Sequence, residues 1–467
     1  MDGKVGEGEF IVSVTKEEIV VPELPMKEQW LPLSNLDLLI PPVDVSVFFC
    51  YKKPLPEKYY CFGTMVGSLK NALAQALVYY YPFAGEMVAN TMGEPELFCS
   101  NRGVDFVEAV ADVELQCLNL YNPDDTVEGK LVPRKKHGVL AVQATGLKCG
   151  GLVVACTFDH RIADAYSANM FLVSWAEAAR PNKPIISAQP CFRRSLLTPR
   201  RPPSIHPLLH HMYVPVSALP PPSDPNKKLV FESEPLISRI YYVTSESLNR
   251  MQALASSNGT VKRTKLESFS AFLWKMVAEA TASVDGKKNV AAKMGVVVDG
   301  RKMLCNDEKN MGSYFGNVLS IPYGGNAVDE LVEKPLSWVA EKVHEFLKMG
   351  VTEDHFLGLV DWVEEHRPVP GLSRIYCGHG KEKGPSFVVS SGQRFPESKV
   401  DFGWGKPVFA SYHFPWGGDS GYVMPMPCAN GNGDWLVYMH LLKAHLNFME
   451  VRAPQILRPF SWDYLLN

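Results

Sequence analysis

The stretch Pro181–Asn226 divides the chain. It contains Arg200-Arg201-Pro202-Pro203 and Pro220-Pro221-Pro222 and carries little hydrophobic period of either kind. Proline fixes φ and donates no backbone hydrogen bond, so such a stretch cannot fill the interior of a sheet or of a long helix. It predicts a surface crossover over 181–230 between two folded units, 1–180 and 231–467. A chain of 467 residues is long enough for both.

On either side the pattern mixes strands and helices without strict alternation. In the first unit, Phe10–Val14 and Val45–Tyr51 read as strands. Val66–Tyr80 reads as a helix with Leu69, Leu73, Ala76 and Leu77 on one face, stopped at Pro82. Val139–Thr145 and Leu152–Thr157 read as a hairpin joined by Gly146-Leu147-Lys148-Cys149-Gly150-Gly151. Ala165–Ala179 follows as a helix. In the second unit, Ile237–Val243, Met294–Asp299 and Ser386–Val389 read as strands, and Glu246–Ala255 and Leu266–Ala280 as helices. The prediction is an α/β protein with two similar domains, each built on a mixed sheet.

Composition narrows the function. Apolar residues make up 46% and charged residues 21%, as in a water-soluble globular chain, and the formal net charge of -3 leaves no basic footprint for nucleic acid. No run of 18 apolar residues predicts a membrane span. Met1–Glu7 is polar and acidic, unlike a secretory or transit leader, and Trp462–Asn467 carries no lipidation or retention signal. The ten cysteines are scattered singly with no C-x-x-C pair, and His210-His211 and His440/His445 lack partners at ligand spacing. Free thiols, no metal and a cytoplasmic location are expected.

The chemistry concentrates at Asp159-His160-Arg161-Ile162-Ala163-Asp164. The apolar run Leu152–Cys156 delivers His160 to the end of a strand, in a strand-to-helix connection where catalytic groups are commonly held. Histidine is the side chain suited to base work near neutral pH. His160 and Asp164 form the one His-x-x-x-Asp match in the sequence. Asp164 can orient the ring or fix the turn. No Gly-x-Ser-x-Gly elbow is present to supply a nucleophile.

Further along lie Asp299-Gly300-Arg301, Tyr314-Phe315-Gly316-Asn317 and Asp401-Phe402-Gly403-Trp404-Gly405-Lys406-Pro407. With Tyr80-Tyr81-Pro82-Phe83-Ala84-Gly85 and Phe269-Ser270-Ala271-Phe272-Leu273-Trp274-Lys275, this ordered set resembles the plant BAHD acyltransferases from about Lys16 to about Phe448. The resemblance implies two domains of chloramphenicol-acetyltransferase type, with the active site in a tunnel between them. It implies acyl-CoA as co-substrate, no permanently bound cofactor, and a monomer. It makes His160 the general base and pairs Asp164 with Arg301 to hold the catalytic loop. It makes Asp401, Gly403 and Trp404 an architectural turn away from the base.

Ser390-Ser391-Gly392 stands where the family commonly has Thr-Ser-Trp facing the active centre. Ser390 keeps a hydroxyl for the oxyanion, and Gly392 predicts extra pocket volume in place of an indole. Ala165 replaces a common glycine. Leu31–Leu39, Gly93–Cys99 and Asp159–Met170 resemble the branch holding coniferyl alcohol acyltransferases and coumarin synthases. The first kind esterifies a phenylpropenol. The second closes the ortho-hydroxyl of a cinnamoyl-CoA onto its own thioester. A non-catalytic small-molecule-binding relative is the reading from another class, and the intact His160 and Asp164 count against it.

Overall fold

The computed structural model describes residues 10–55, 60–180, 189–219, 235–257, 261–284, 286, 290–305, 310–377 and 384–466. The segment Met1–Glu7, Pro220–Pro222 and part of the crossover lie outside the described residues.

The first half supplies strands β1 (Val12–Val20), β2 (Asp44–Tyr51), β3 (Val104–Ala111), β4 (Leu140–Leu147) and β5 (Leu152–Asp159). It also supplies helices α1 (Phe62–Tyr79) and α2 (Ala165–Ala178). The second half supplies β6 (Leu236–Val243), β7 (Ala291–Val296), β8 (Tyr323–Ala327), β9 (Ser386–Val389), β10 (Phe409–His413), β11 (Gly421–Pro427), β12 (Trp435–Leu442) and β13 (Arg458–Pro459). Its main helices are α3 (Ser245–Ala255), α4 (Lys265–Val284), α5 (Leu336–Gly350) and α6 (Glu353–His366).

Two mixed sheets result. The first has the order β1-β3-β4-β5-β2-β10, and the second β8-β7-β9-β11-β12-β6-β13. In the first, only the β3–β4 pair is parallel; in the second, β7–β9 and β9–β11 are. β4 and β5 are mostly apolar and lie centrally with both faces covered, so almost every residue is buried. α1 turns Leu69, Leu73, Ala76 and Leu77 inward, all at 0% exposure. It packs on α2, whose Trp175 indole donates to the Leu69 carbonyl at 2.9 Å. Full burial of such leucines contributes roughly 1.5–3 kcal/mol each, so Leu73→Ala is the kind of change that would open this interface.

Three expectations are corrected. β10 belongs by sequence to the second unit, yet it pairs antiparallel with β2 in the first sheet, Tyr412 opposite Val47. A cut at residue 231 therefore does not separate the two sheets. The described crossover is not a bare surface loop. Its leucines have a helix to pack on, so Leu196, Leu197, Leu209 and Tyr213 join Phe356, Leu359, Val360 and Trp362 of α6 in a third apolar cluster. Tyr213–Pro215 even pairs with Gly371–Ser373. The strand expected over Met294–Asp299 breaks in two. After β7, Val298–Asp299 leaves the sheet to pair with Leu319–Ser320, which aims Asp299 and Arg301 toward the first domain.

Candidate active site

β5 ends at Asp159, and the chain bends there for a local reason. The Asp159 carboxylate accepts from the Arg161 backbone N–H at 3.0 Å and from the Arg161 guanidinium at 3.0 and 2.6 Å. His160 sits in this bend. Its N–H donates to the Val43 carbonyl at 2.9 Å, and its own carbonyl accepts from Asn317 Nδ2 at 3.0 Å. The imidazole is half-buried and meets the Phe414 ring edge-on at 6.4 Å. Its Nδ1 is buried and has no hydrogen-bond partner among the described residues. Among the described residues no carboxylate bonds this Nδ1, and the backbone bonds on both sides of His160 hold the residue in place.

Asp164 is fully buried, and its described hydrogen bonds go to groups other than the His160 ring. Oδ1 accepts from Ser167 N–H at 2.9 Å, capping α2, and from Arg301 Nη2 at 3.1 Å. Oδ2 accepts from Arg301 Nη1 at 2.7 Å and from Val318 N–H at 3.1 Å. Both oxygens are occupied, so Asp164 holds a turn and has no free lone pair to relay a proton. Burial works against the Arg301 charge, but Asp164 and Asp299 more than offset it and raise its pKa above the ordinary value. Arg301 also bonds the carbonyls of Tyr314 and Gly316, and its guanidinium lies 4.4 Å over the Tyr166 ring.

Asn317 closes the arrangement from behind. Its backbone N–H and Nδ2 both donate to Asp37 Oδ1, at 2.7 and 2.9 Å, while Nδ2 also reaches the carbonyls of His160 and Arg161. Asp37 is itself fixed by Ser34 N–H and Oγ, at 2.9 and 2.7 Å. No spacing rule links Asp37 to His160, and only the fold brings them together.

A cavity of about 280 Å³ opens beside His160 and draws its walls from both sheets. Its sides are largely apolar and aromatic: Val43 just before β2, Val45, Phe158 and Tyr412 from the first sheet, Tyr422 and Met424 from β11, and Phe414, Trp416 and Tyr376 from the segments beside them. Phe414 and Trp416 are parallel within 10°, and Tyr376 meets Trp416 edge-on at 4.9 Å. Burial pushes the Tyr422 phenol up to about 12, while its hydrogen bond with Ser390 pulls the other way. These aromatic residues carry no motif. The signal that could have found Phe414 and Trp416 is their position directly after β10, at the edge where that strand leaves the first sheet.

Ser390 and Ser391 border the cavity, as does Asp164. Gly392 does not. Its N–H donates to the Pro425 carbonyl at 3.0 Å, and a Cβ there would lie 2.6 Å from that oxygen and 2.7 Å from Met426 Cγ. The absent side chain allows a close approach to β11 and opens no volume beside the substrate, which corrects the expectation of an enlarged pocket.

Asp401, Gly403 and Trp404 stand apart from the cavity. Asp401 Oδ1 accepts from Gly403 and Gly405 N–H at 2.9 and 3.0 Å, and both glycines have φ above +100°, where a side chain would be strained. Phe402 and Trp404 pack on Tyr51, and Phe402 also packs on Trp175. Arg180 Nε donates to the Asp401 carbonyl at 2.7 Å. The turn thus fastens the segment entering β10 to the first domain.

Comparison with known proteins agrees with this geometry. The sequence model of the Transferase family matches residues 10–455. The chain is 30% identical over 444 residues to anthranilate N-benzoyltransferase protein 1 of Dianthus caryophyllus, covering 91% of this chain and 95% of the relative. It is 27% identical over 453 residues to shikimate O-hydroxycinnamoyltransferase of Nicotiana tabacum, covering 94% and 98%. The crystal structure of F. graminearum TRI101 complexed with coenzyme A and T-2 mycotoxin superposes with a TM-score of 0.74 at 14% identity, covering 92% of this chain and 99% of that one. Two mixed-sheet domains with the His160 cavity drawing walls from both sheets make the chloramphenicol-acetyltransferase fold of an acyltransferase. The chain belongs to the Transferase family, the BAHD-type acyltransferases.

Proposed function

We propose that this chain moves an acyl group from an acyl-CoA thioester to the hydroxyl of a phenylpropanoid such as coniferyl alcohol, as a cytoplasmic monomer. The observation that carries the reading is His160 opening on a cavity whose walls are largely apolar and rich in aromatic rings. Aromatic walls suit a planar acyl group or acceptor, and they exclude water from the thioester. The hydroxycinnamoyl and benzoyl groups named for the relatives support the same class of substrate.

His160 accepts the acceptor hydroxyl's proton as the oxygen attacks the thioester carbonyl. Ser390 donates to the tetrahedral oxyanion, with Ser391 at the cavity wall beside it. Collapse breaks the carbon–sulfur bond, and His160 returns its proton to the departing CoA thiolate. Asp164 and Arg301 are positioning residues for this turn. Asp401, Gly403 and Trp404 support the fold.

The test is a panel of acyl-CoAs incubated with and without phenylpropenols. Ester formed only when an alcohol is present supports the reading. A coumarin released from an ortho-hydroxycinnamoyl-CoA with no added acceptor would assign intramolecular lactonisation instead. Tight binding of these compounds without turnover would make the chain a non-catalytic relative.

A further inference from the structure

Among the described residues that border the cavity, Arg394 is the only lysine or arginine. Its side chain is 53% exposed. Nη1 donates to Asp299 Oδ2 at 3.3 Å, and among the described residues the guanidinium makes no other hydrogen bond. A guanidinium has five N–H donors in a planar fork, so most of these donors are left to solvent or to a ligand.

The backbone that carries the fork is held in place. The Arg394 carbonyl accepts from Asn169 Nδ2 at 3.2 Å, and Asn169 Oδ1 accepts from the Tyr412 hydroxyl at 3.0 Å. The Tyr166 ring lies 5.6 Å from the guanidinium carbon. Asp299 uses Oδ1 for Arg301, at 3.0 and 3.1 Å, so a ligand on Arg394 need not disturb the Arg301 cluster. The other permanently charged groups at the cavity, Asp164 and Asp299, are acidic and paired with Arg301. Among the described residues that border it, Arg394 is the one fixed cation that can meet a negatively charged substrate.

We infer that Arg394 is a specificity residue that binds an oxyanion of the substrate pair, a carboxylate or a phosphate, at the cavity rim. The inference rests on the acyl-transfer reading above. The oxyanion has two sources: the phosphates of the CoA donor, or a carboxylate on the acceptor. Bidentate pairing of either group on a planar fork gives orientation as well as attraction.

The experiment measures kcat/KM for full-length wild type, Arg394→Gln and Arg394→Lys. Donors are a CoA thioester and the matching N-acetylcysteamine thioester, which has no phosphate. Acceptors are a neutral phenylpropenol and a phenolic acid of similar size. Two ratios are read, CoA over truncated donor and acidic over neutral acceptor. One of them should fall about tenfold or more in Arg394→Gln, the scale of a lost hydrogen bond to a charged group, with partial recovery in Arg394→Lys. A fall in the first ratio assigns the phosphate, and a fall in the second the carboxylate. Both ratios unmoved, in a variant that melts with wild type, overturns the inference while wild-type turnover leaves the acyl-transfer reading standing. No wild-type turnover with any pair overturns both.

Discussion

Two tight turns carry the most distinctive residues of this chain, and they do different work. At Asp159–Asp164 and at Asp401–Gly405, an aspartate collects backbone N–H groups and bends the chain sharply. The first turn presents His160 to a cavity shared by both sheets. The second presents only Phe402 and Trp404, and these bury against Tyr51 and Trp175. A motif's rarity therefore measures how strictly its geometry is required and says nothing of whether it touches a substrate.

The difference is breakable at its strongest joint. Asp164 and Arg301 are 0% and 3% exposed and share two hydrogen bonds. Removing either side strands a buried charge, so Arg301→Met and Asp164→Ala should each cost about 3–5 kcal/mol. A double-mutant cycle by denaturant melting should show strong coupling between them. Independent, additive losses would mean that this pair does not hold the Asp159–Asp164 turn.

Melting comparisons between the two turns belong above pH 6.5, because a third site responds to acid. Burial, with the nearby His206, pushes His355 down to about 4, and its Nε2 is 2.7 Å from Ser320 Oγ. The unfolded chain binds this proton below pH 6.5, while the folded chain does not until about pH 4. Stability is therefore present above 6.5 and is lost as pH falls through that window, by up to ~3 kcal/mol. His355→Gln should flatten the decline in melting temperature between pH 6.5 and 4. An unchanged slope would move the acid sensitivity elsewhere.

Gly392 sharpens the contrast between space and contact. Gly392→Ala should destabilise by ~1–3 kcal/mol through overpacking against Pro425 and Met426. A variant as stable as wild type would show that β11 yields there. The smallest effect is expected at Asp401→Ala, which removes acceptors for two backbone N–H groups at a half-exposed turn. The cost should be about 1–2 kcal/mol in stability, with kcat of the folded enzyme within roughly twofold. A large kcat loss without a change in melting would tie this turn to the chemistry.

Much of this was legible in the sequence wherever the signal is local. The β4–β5 hairpin, α1 and α2 are fixed by hydrophobic period and turn residues, and His160 by its place at a strand end. The sequence also carries the helical period of α5 in Leu336, Val339, Ala340, Val343 and Phe346. What depends on distant partners is not written locally. β10 reads as a short apolar strand in any sheet, and its pairing with β2 is a tertiary choice. Asp37 bonds Asn317 across 280 positions. Gly392 reads alike as a hole or as a contact until Pro425 is placed beside it.

The central claim is that the Asp159–Asp164 turn performs the chemistry through one side chain. The direct measurement is kcat for His160→Ala, with the fold monitored by circular dichroism, on any donor and acceptor pair that wild type converts. His160 makes no side-chain hydrogen bond at its buried Nδ1, so its loss should leave the melting temperature nearly unchanged. The expected result is a fall in kcat of about 10² or more, the scale of a lost general base. Wild-type turnover in a folded His160→Ala protein would contradict the account.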